Sequence, residues 1–356
     1  MDVITDFSDQ QRWDAYVQAH PESRFCHLSA YRCLKEVYGY TPCYFGFQKQ
    51  ERLVGVLPAF ETSSMFFGRR LISQPFSEYG GFLLDPDLDG SDFQEIIQHL
   101  KTFLAKRQLR GLEMHGRSGV AIQDLPDSLT KSNDQSLAYL PLDRPVDELW
   151  NKVITYQVRK AVQKAERSDV EVIERSDEDT IVRDFYPLYL SSMKRLGVPP
   201  HGIQYYLRCR AAFGDGMKIF WALHKGRPIS GLLGFSCGKR VSIINIVSDE
   251  SFWEIRPNDL IHWEYIKWAH AAGFQYFDFG SIRYEGQLRY KKKWGCTITD
   301  HGYYHLGGAK SKEAAPSQSF DSSSGTMKRF SDLWAKYVPE AVGRVVGPVL
   351  RKNLVR

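Results

Sequence analysis

The sequence contains no run of the roughly 18–20 consecutive apolar residues that a helix needs to cross a bilayer, so no membrane-spanning helix is expected. Its opening, MDVITDFSDQ, has neither the basic n-region nor the apolar h-region of a secretory leader, and a cytoplasmic protein is expected. Cysteine is sparse. The six residues Cys26, Cys33, Cys43, Cys209, Cys237 and Cys296 form no CxxC pair and no framework spacing, which predicts reduced thiols and suggests neither a disulfide scaffold nor a zinc site. Also missing are GxSxG, HExxH, GxxxxGK[ST] and a GxGxxG that follows a strand, so nothing points to a covalent nucleophile, a metal site or a nucleotide-binding loop.

What is there describes an ordinary globular protein of two domains. The chain has 356 residues, 43% hydrophobic and 25% charged, with a net charge of +5 and a mean hydropathy of -0.38. That charge is too mild for a nucleic-acid coat, but residues 283 to 293 (RYEGQLRYKKK) gather five basic residues against Glu285. Such a run is either a solvated loop or a local positive field for phosphates, with Arg283 at its head.

A faint duplication organises the chain. Tyr44 to Pro58 lies over Phe220 to Gly234 without a gap, matching Lys49 with Lys225, Gly55 with Gly231 and Leu57 with Leu233. Both segments read as an aromatic strand, a polar turn and an apolar strand, the pattern of a hairpin. Each is followed by a helix and a short strand. The first helix spans Ser91 to Arg107, with Phe93, Ile96, Ile97, Leu100 and Leu104 on one stripe, before the strand at 111–116. The second spans Asn258 to Ala272, before the strand Tyr276 to Gly280.

The prolines of PLDRPVD at 141–147 mark the boundary, giving a first domain at 1–144 and a second at 145–308. A basic helix capped by Asp147 is expected over Glu148 to Arg167. Residues 309–326 are small and polar and read as a flexible linker. The tail, 327–356, sets Phe330, Leu333, Trp334, Tyr337, Val338, Val342, Val345 and Val346 at helical spacing beside seven basic residues. It either docks on the protein or lies on an anionic bilayer surface, and Pro339 and Gly343 speak against one uninterrupted helix.

With no covalent or metal signature, the chemistry left is that of positioning two substrates, desolvating an amine and managing one proton, as in direct acyl transfer. The stretch from Arg159 to Gly295 resembles the Fem-type (FemA/FemB-like) acyltransferases, a branch of the GNAT superfamily whose members attach amino acids to peptidoglycan precursors. The resemblance lies in VRKAVQKAERSDVEV at 158–172, DFYPLYLSSMKRLGVPP at 184–200, RPNDLIHWEYIKWAHAAGFQYFDFG at 256–280 and LRYKKKWG at 288–295. LISQPFSEYGGFLLD at 71–85 extends it into the first half. The chain looks most similar to Fem-like proteins associated with exopolysaccharide and surface-protein sorting. The resemblance implies an α/β fold of two tandem GNAT-like domains, mixed sheets flanked by helices, followed here by the helical tail. Two features depart from it: no heptad-rich stretch marks the helical arm associated with tRNA, and Arg256-Pro257-Asn258-Asp259 stands where simple GNAT enzymes carry a glycine-rich pyrophosphate loop.

The expected activity is transfer of an acyl or aminoacyl group to an amine of a phosphate-bearing cell-envelope or exopolysaccharide precursor. No bound cofactor is expected, and the donor is aminoacyl-tRNA or acyl-CoA. The alternatives are an acyl-CoA-dependent N-acetyltransferase and a non-catalytic module that binds a glycan precursor. Period two places Tyr276, Asp278 and Gly280 on one face of their strand. Asp278 there either orients or deprotonates the acceptor amine, or caps the next loop through backbone N–H groups. Gly280 and Ser281 allow close approach of substrate. By resemblance, Lys291 of the aromatic-Lys-x-x-aromatic-Gly motif neutralises charge on the carbonyl oxygen or binds phosphate, and Arg159 faces acceptor phosphates. Arg256 and Asn258, at a helix N-terminus, are the positions for donor phosphate. Tyr79 and Gly80, in the turn that begins at Glu78, shape the acceptor cleft or are a plain turn. His201 and His262 are expected to be packed rather than catalytic.

Overall fold

The computed structural model describes residues 1–116, 129–307 and 325–355. They fall into two compact units, one within Met1–Gln135, Asp300–Asp321 and Arg351–Arg356, the other within Ser136–Thr299 and Ser322–Leu350.

The first unit begins with β1 (Asp2–Ile4), helix α1 (Gln10–Ala19) and the hairpin β2 (Thr41–Lys49) and β3 (Arg52–Ser64), then β4 (Gly68–Ile72) and the short β5 (Leu83–Leu84). Helix α2 (Gly90–Lys106) crosses to β6 (Gly111–His115), which runs parallel to β4. Asp89 caps α2 by accepting from the backbone N–H groups of Ser91 and Asp92. Its stripe of Phe93, Ile96, Ile97, Leu100 and Leu104 is buried against Phe45, Val54, Leu57 and Leu112, each large side chain contributing about 1.5–3 kcal/mol.

The second unit repeats this plan. Its part of β7 (Leu129–Pro141) is followed by helix α3 (Tyr156–Arg167), β8 (Val170–Glu174), helices α4 (Tyr186–Arg195) and α5 (Ile203–Phe213), and the hairpin β9 (Met217–His224) and β10 (Arg227–Cys237). After β11 (Arg240–Ser248), helix α6 (Pro257–Ala271) crosses to β12 (Tyr276–Ile282), parallel to β11, and helix α7 (Glu285–Lys293) follows. Leu260, Ile261, Tyr265, Ile266 and Ala269 of α6 fill the core with Phe220, Leu232, Val241 and Phe277. The chain ends in β13 (Thr297–Gly307), α8 (Gly325–Tyr337) and α9 (Glu340–Asn353).

In each unit the outer strand pairs antiparallel with the hairpin (β1 with β2, β8 with β9), and the strand after the crossover helix gains an antiparallel neighbour. For β6 that neighbour is β13, with Tyr303 opposite His115 and Gly307 opposite Gly111. For β12 it is β7, with Tyr276 opposite Pro141. The strand that closes each sheet therefore follows the other repeat in the sequence.

Several expectations need correction. Both hairpin turns hold two residues at positive φ, Gln50 and Glu51 in one, Lys225 and Gly226 in the other, the I′ geometry that matches strand twist. Aligning the turns equates Gln50, not Lys49, with Lys225, so the duplication is real but the ungapped match was one residue out of step. The helix expected over 148–167 is broken: a turn over 146–153 stops at Ile154, whose ψ of 130 is extended, and α3 starts after Thr155. Pro145, not Asp147, is the N-cap. Within the basic run at 283–293, Glu285–Lys293 form helix α7 rather than a loop, with Arg283 just ahead of it. The tail breaks at Val338–Pro339, whereas Gly343 sits inside α9. The linker over 309–326 lies outside the described residues except for Gly325 and Thr326, which open α8.

Candidate functional site

In the second unit, β11 and β12 pair over only three residues, Arg240–Ser242 against Tyr276–Asp278. Beyond them β12 continues its ladder on β7, with Ser281 opposite Leu137 and Ile282 opposite Ser136, while β11 runs on to Ser248 beside β10. A bulge falls at the same place: Gly234 pairs with Ile243 and Leu233 with Asn245, leaving Ile244 opposite no residue. Bulges bend a strand and re-aim its groups. The two parallel strands part there in a V, and among the described residues no strand pairs with the β12-facing edge of β11 beyond Ser242, an edge able to hydrogen-bond an extended, amide-bearing chain.

The β12 side of the V is fixed by buried polar groups. Gly280 has a φ of 75, a left-handed conformation that glycine takes at little cost. Its N–H donates to Asp278 Oδ1 at 2.9 Å. Its carbonyl and that of Ser281 both accept from Lys291 Nζ, at 2.9 and 2.6 Å. Lys291 is 6% exposed, so α7 carries this ammonium into the protein and anchors it on the turn of β12. The other Asp278 oxygen stands 3.7 Å from Arg240 Nη1, both side chains buried, and the guanidinium lies over the rings of Tyr276 and Tyr139.

A second group forms where α6 meets α7. His262 is stacked on Phe279 with ring centroids 5.4 Å apart and an interplanar angle of 3°. Its Nδ1 lies 2.6 Å from the Asn258 carbonyl, which can only accept, so Nδ1 carries the proton and Nε2 is the basic nitrogen. Burial lowers the His262 pKa to about 4. Tyr290 Oη is 3.5 Å from both Asp259 Oδ1 and His262 Nδ1. Burial raises the pKa of Asp259 and of Tyr290.

The structure thus brings Asp278, Gly280, Ser281 and Lys291 together at the end of β12. Arg159 lies on α3, where it donates to the carbonyls of Trp150 and Ile154 and closes the broken turn before its own helix. Arg283 is exposed just ahead of α7, its backbone N–H bonded to Gln287 Oε1. Arg256 is exposed with a φ of 61 at the entry to α6, and Asn258 Oδ1 accepts from Ser230. Tyr79 and Gly80 belong to the first unit: Tyr79 is buried under Arg24, and Gly80 turns with a φ of 135. Arg240, Asp259 and Tyr290 were not singled out from sequence. For Asp259 a signal existed, since its spacing of i, i+3 from His262 at a helix start puts both on one face. Among the described residues no group of His, Cys, Asp and Glu could hold a metal ion, and none of their helices is long and apolar enough to cross a membrane.

Residues 153–292, which contain this site, match the family model described as an acetyltransferase (GNAT) domain. No curated protein matches the sequence. Among solved structures the chain is similar to FemX (TM-score 0.71, 15% identity, covering 86% of this chain and 97% of that one). It is also similar to a tandem GNAT protein from the clavulanic acid biosynthesis pathway (0.53, 11%, 87% and 100%). A third similar structure is the C-terminal domain of a putative lysylphosphatidylglycerol synthetase from Agrobacterium fabrum (0.53, 10%, 85% and 92%). At such identities the likeness is one of fold, and it extends over both units. Over residues 153–292 the chain is similar to a GNAT acetyltransferase domain, and it is an acyltransferase.

Proposed function

We propose that this protein is an N-acyltransferase that moves an acyl or aminoacyl group onto an amine of a phosphate-bearing cell-envelope or exopolysaccharide precursor, in the cytoplasm or at the inner face of the membrane. The observation that carries the reading is the V between β11 and β12 with the Lys291 ammonium anchored on one of its walls. The amide groups of a donor bind the open edge of β11, and the acceptor amine attacks the donor carbonyl directly. The new C–N bond forms as the ester or thioester bond breaks, and the amine proton leaves with the departing group or a base. Lys291 keeps positive charge where the carbonyl oxygen becomes negative. Asp278 holds the Gly280–Ser281 turn against which the substrates meet. Arg283 and Arg159 serve acceptor phosphates, Arg256 and Asn258 donor phosphates, and Tyr79 with Gly80 the acceptor itself.

An aminoacyl donor is supported by the relative named for lysylphosphatidylglycerol, an aminoacylated lipid. A second reading, acyl-CoA-dependent N-acetylation, is supported by the acetyltransferase domain match. Purified protein offered charged tRNA and a panel of acyl-CoAs, followed by mass spectrometry, decides between them. Transfer to an amine from either donor is expected, and Lys291→Met should lower its rate on the order of a hundredfold. Absence of transfer from both donors overturns the enzyme reading in favour of a module that binds a glycan precursor.

A further inference from the structure

The tail docks on the second unit by its small and aromatic residues and leaves its valines outside. In α8, Trp334 is buried beside Leu190, Pro200 and Gly343. In α9, a Cβ added to Gly347 would stand 2.4 Å from the Pro200 ring. Val342, Val345, Val346 and Val349, spaced i, i+3, i+4 and i+7, share one stripe of α9. All four are exposed, Val345 at 72% and Val349 at 62%. Leu333 and Tyr337, one turn apart on α8, are exposed as well. A helix packed on a globular unit ordinarily turns its apolar stripe inward, and this pair does the reverse.

Charge is concentrated in the same place. Residues 327–356 hold seven basic and two acidic residues, so the preceding 326 residues balance at 40 basic and 40 acidic, and the tail carries the whole net charge of +5. Lys328, Arg329, Lys336 and Arg344 are exposed.

We propose that α8 and α9 form a docking surface for an anionic lipid bilayer, the valine stripe entering the acyl boundary and the basic side chains meeting lipid phosphates. A second copy is the poorer occupant, because a two-fold contact sets like charges against each other. A neutral protein would use the valines and leave the charge without a role. The inference deepens the membrane-surface part of the proposed function, and binding and transfer are measured separately for that reason.

The test is flotation of the full chain with phosphatidylcholine vesicles, with and without about one-third phosphatidylglycerol, since each basic residue near such a surface adds measurably to binding. The wild type should bind the anionic vesicles at least about tenfold better, and Val345→Glu with Val349→Glu, or Arg329→Glu with Lys336→Glu, should each lower that binding about tenfold. These positions are exposed, so melting temperature and transfer to a water-soluble amine should not move. Equal binding to neutral vesicles, or unchanged binding by the valine variants, overturns the proposal. So does a wild-type dimer in light scattering that the valine variants convert to monomer, which assigns the stripe to a second copy. Vesicle binding by a protein that transfers from neither donor upholds the surface and sinks the transfer reading instead.

Discussion

Single residues at the site are neutral or paired because water is excluded from them. His262, lowered to about 4 by burial, is the clearest case. An unfolded chain takes up a proton at this position near the ordinary histidine value of 6.5, whereas the folded site refuses it until about pH 4. The unfolded state therefore binds more protons as pH falls through that window, and stability is lost there and unaffected above it. His301, lowered to about 4, and His27, to about 3, act in the same sense in the first unit. Urea midpoints should fall between pH 7 and pH 4.5, and His262→Gln should remove about 2 kcal/mol of that fall. Because Asp259, raised by burial, works in the opposite sense, the difference between wild type and variant is the measurement; identical pH slopes would sink the assignment. Asp278 and Lys291 could be picked from the sequence by strand period and motif. Arg240 could not, since only the parallel register of β11 with β12 brings it to Asp278.

Elements were legible where a local pattern sets them and illegible where a neighbour does. The stripe of α2 and the proline at 339 are local signals, and both mark what they should. The break at Ile154 has no such signal: the N–H and hydroxyl of Thr155 both bond the Lys293 carbonyl, and Arg159 takes up the freed carbonyls before it. Gly343 and Gly347 pose the same question for α9, being alike to a propensity scale and unlike in surroundings. An added Cβ at Gly343 meets Trp334 at 3.7 Å, an ordinary contact, while at Gly347 it meets Pro200 at 2.4 Å and the Pro200 backbone nitrogen at 3.1 Å. Gly343→Ala should thus gain up to about 1 kcal/mol from helix propensity, and Gly347→Ala should loosen the docked tail by about 1–3 kcal/mol. Limited proteolysis between α8 and α9, with Trp334 fluorescence as the second probe, reads this out. Equal effects from the two alanines would mean that the contact with Pro200 does not hold the helix.

Over the whole molecule, the duplication could be read in the sequence, but the closing of each sheet could not. Hairpin, crossover helix and parallel strand are each contiguous stretches with their own periodicity. The partner of β6 comes from residues beyond the second repeat, and no local pattern says that β13 pairs with β6 instead of with its own preceding strand. This arrangement makes the N-terminal unit depend on a strand near the far end of the sequence. Leu306 of β13 is 1% exposed and lies in the first unit's core with Leu112, Met114, Leu129 and Tyr304. Leu306→Asp would bury a carboxylate there without a partner, at a cost of about 3–5 kcal/mol. Hydrogen exchange by mass spectrometry should then show lost protection in β2, β3 and β6, all far upstream in the sequence, with β9, β10 and α6 keeping theirs. Loss confined to residues near 306, with β6 still protected, would show that the N-terminal sheet does not need this strand. Loss in β9 and β10 to the same degree would show that the two units melt as one, and the closing strands would then be the reason to test next by the equivalent substitution Leu140→Asp in β7, which is fully buried in the second core.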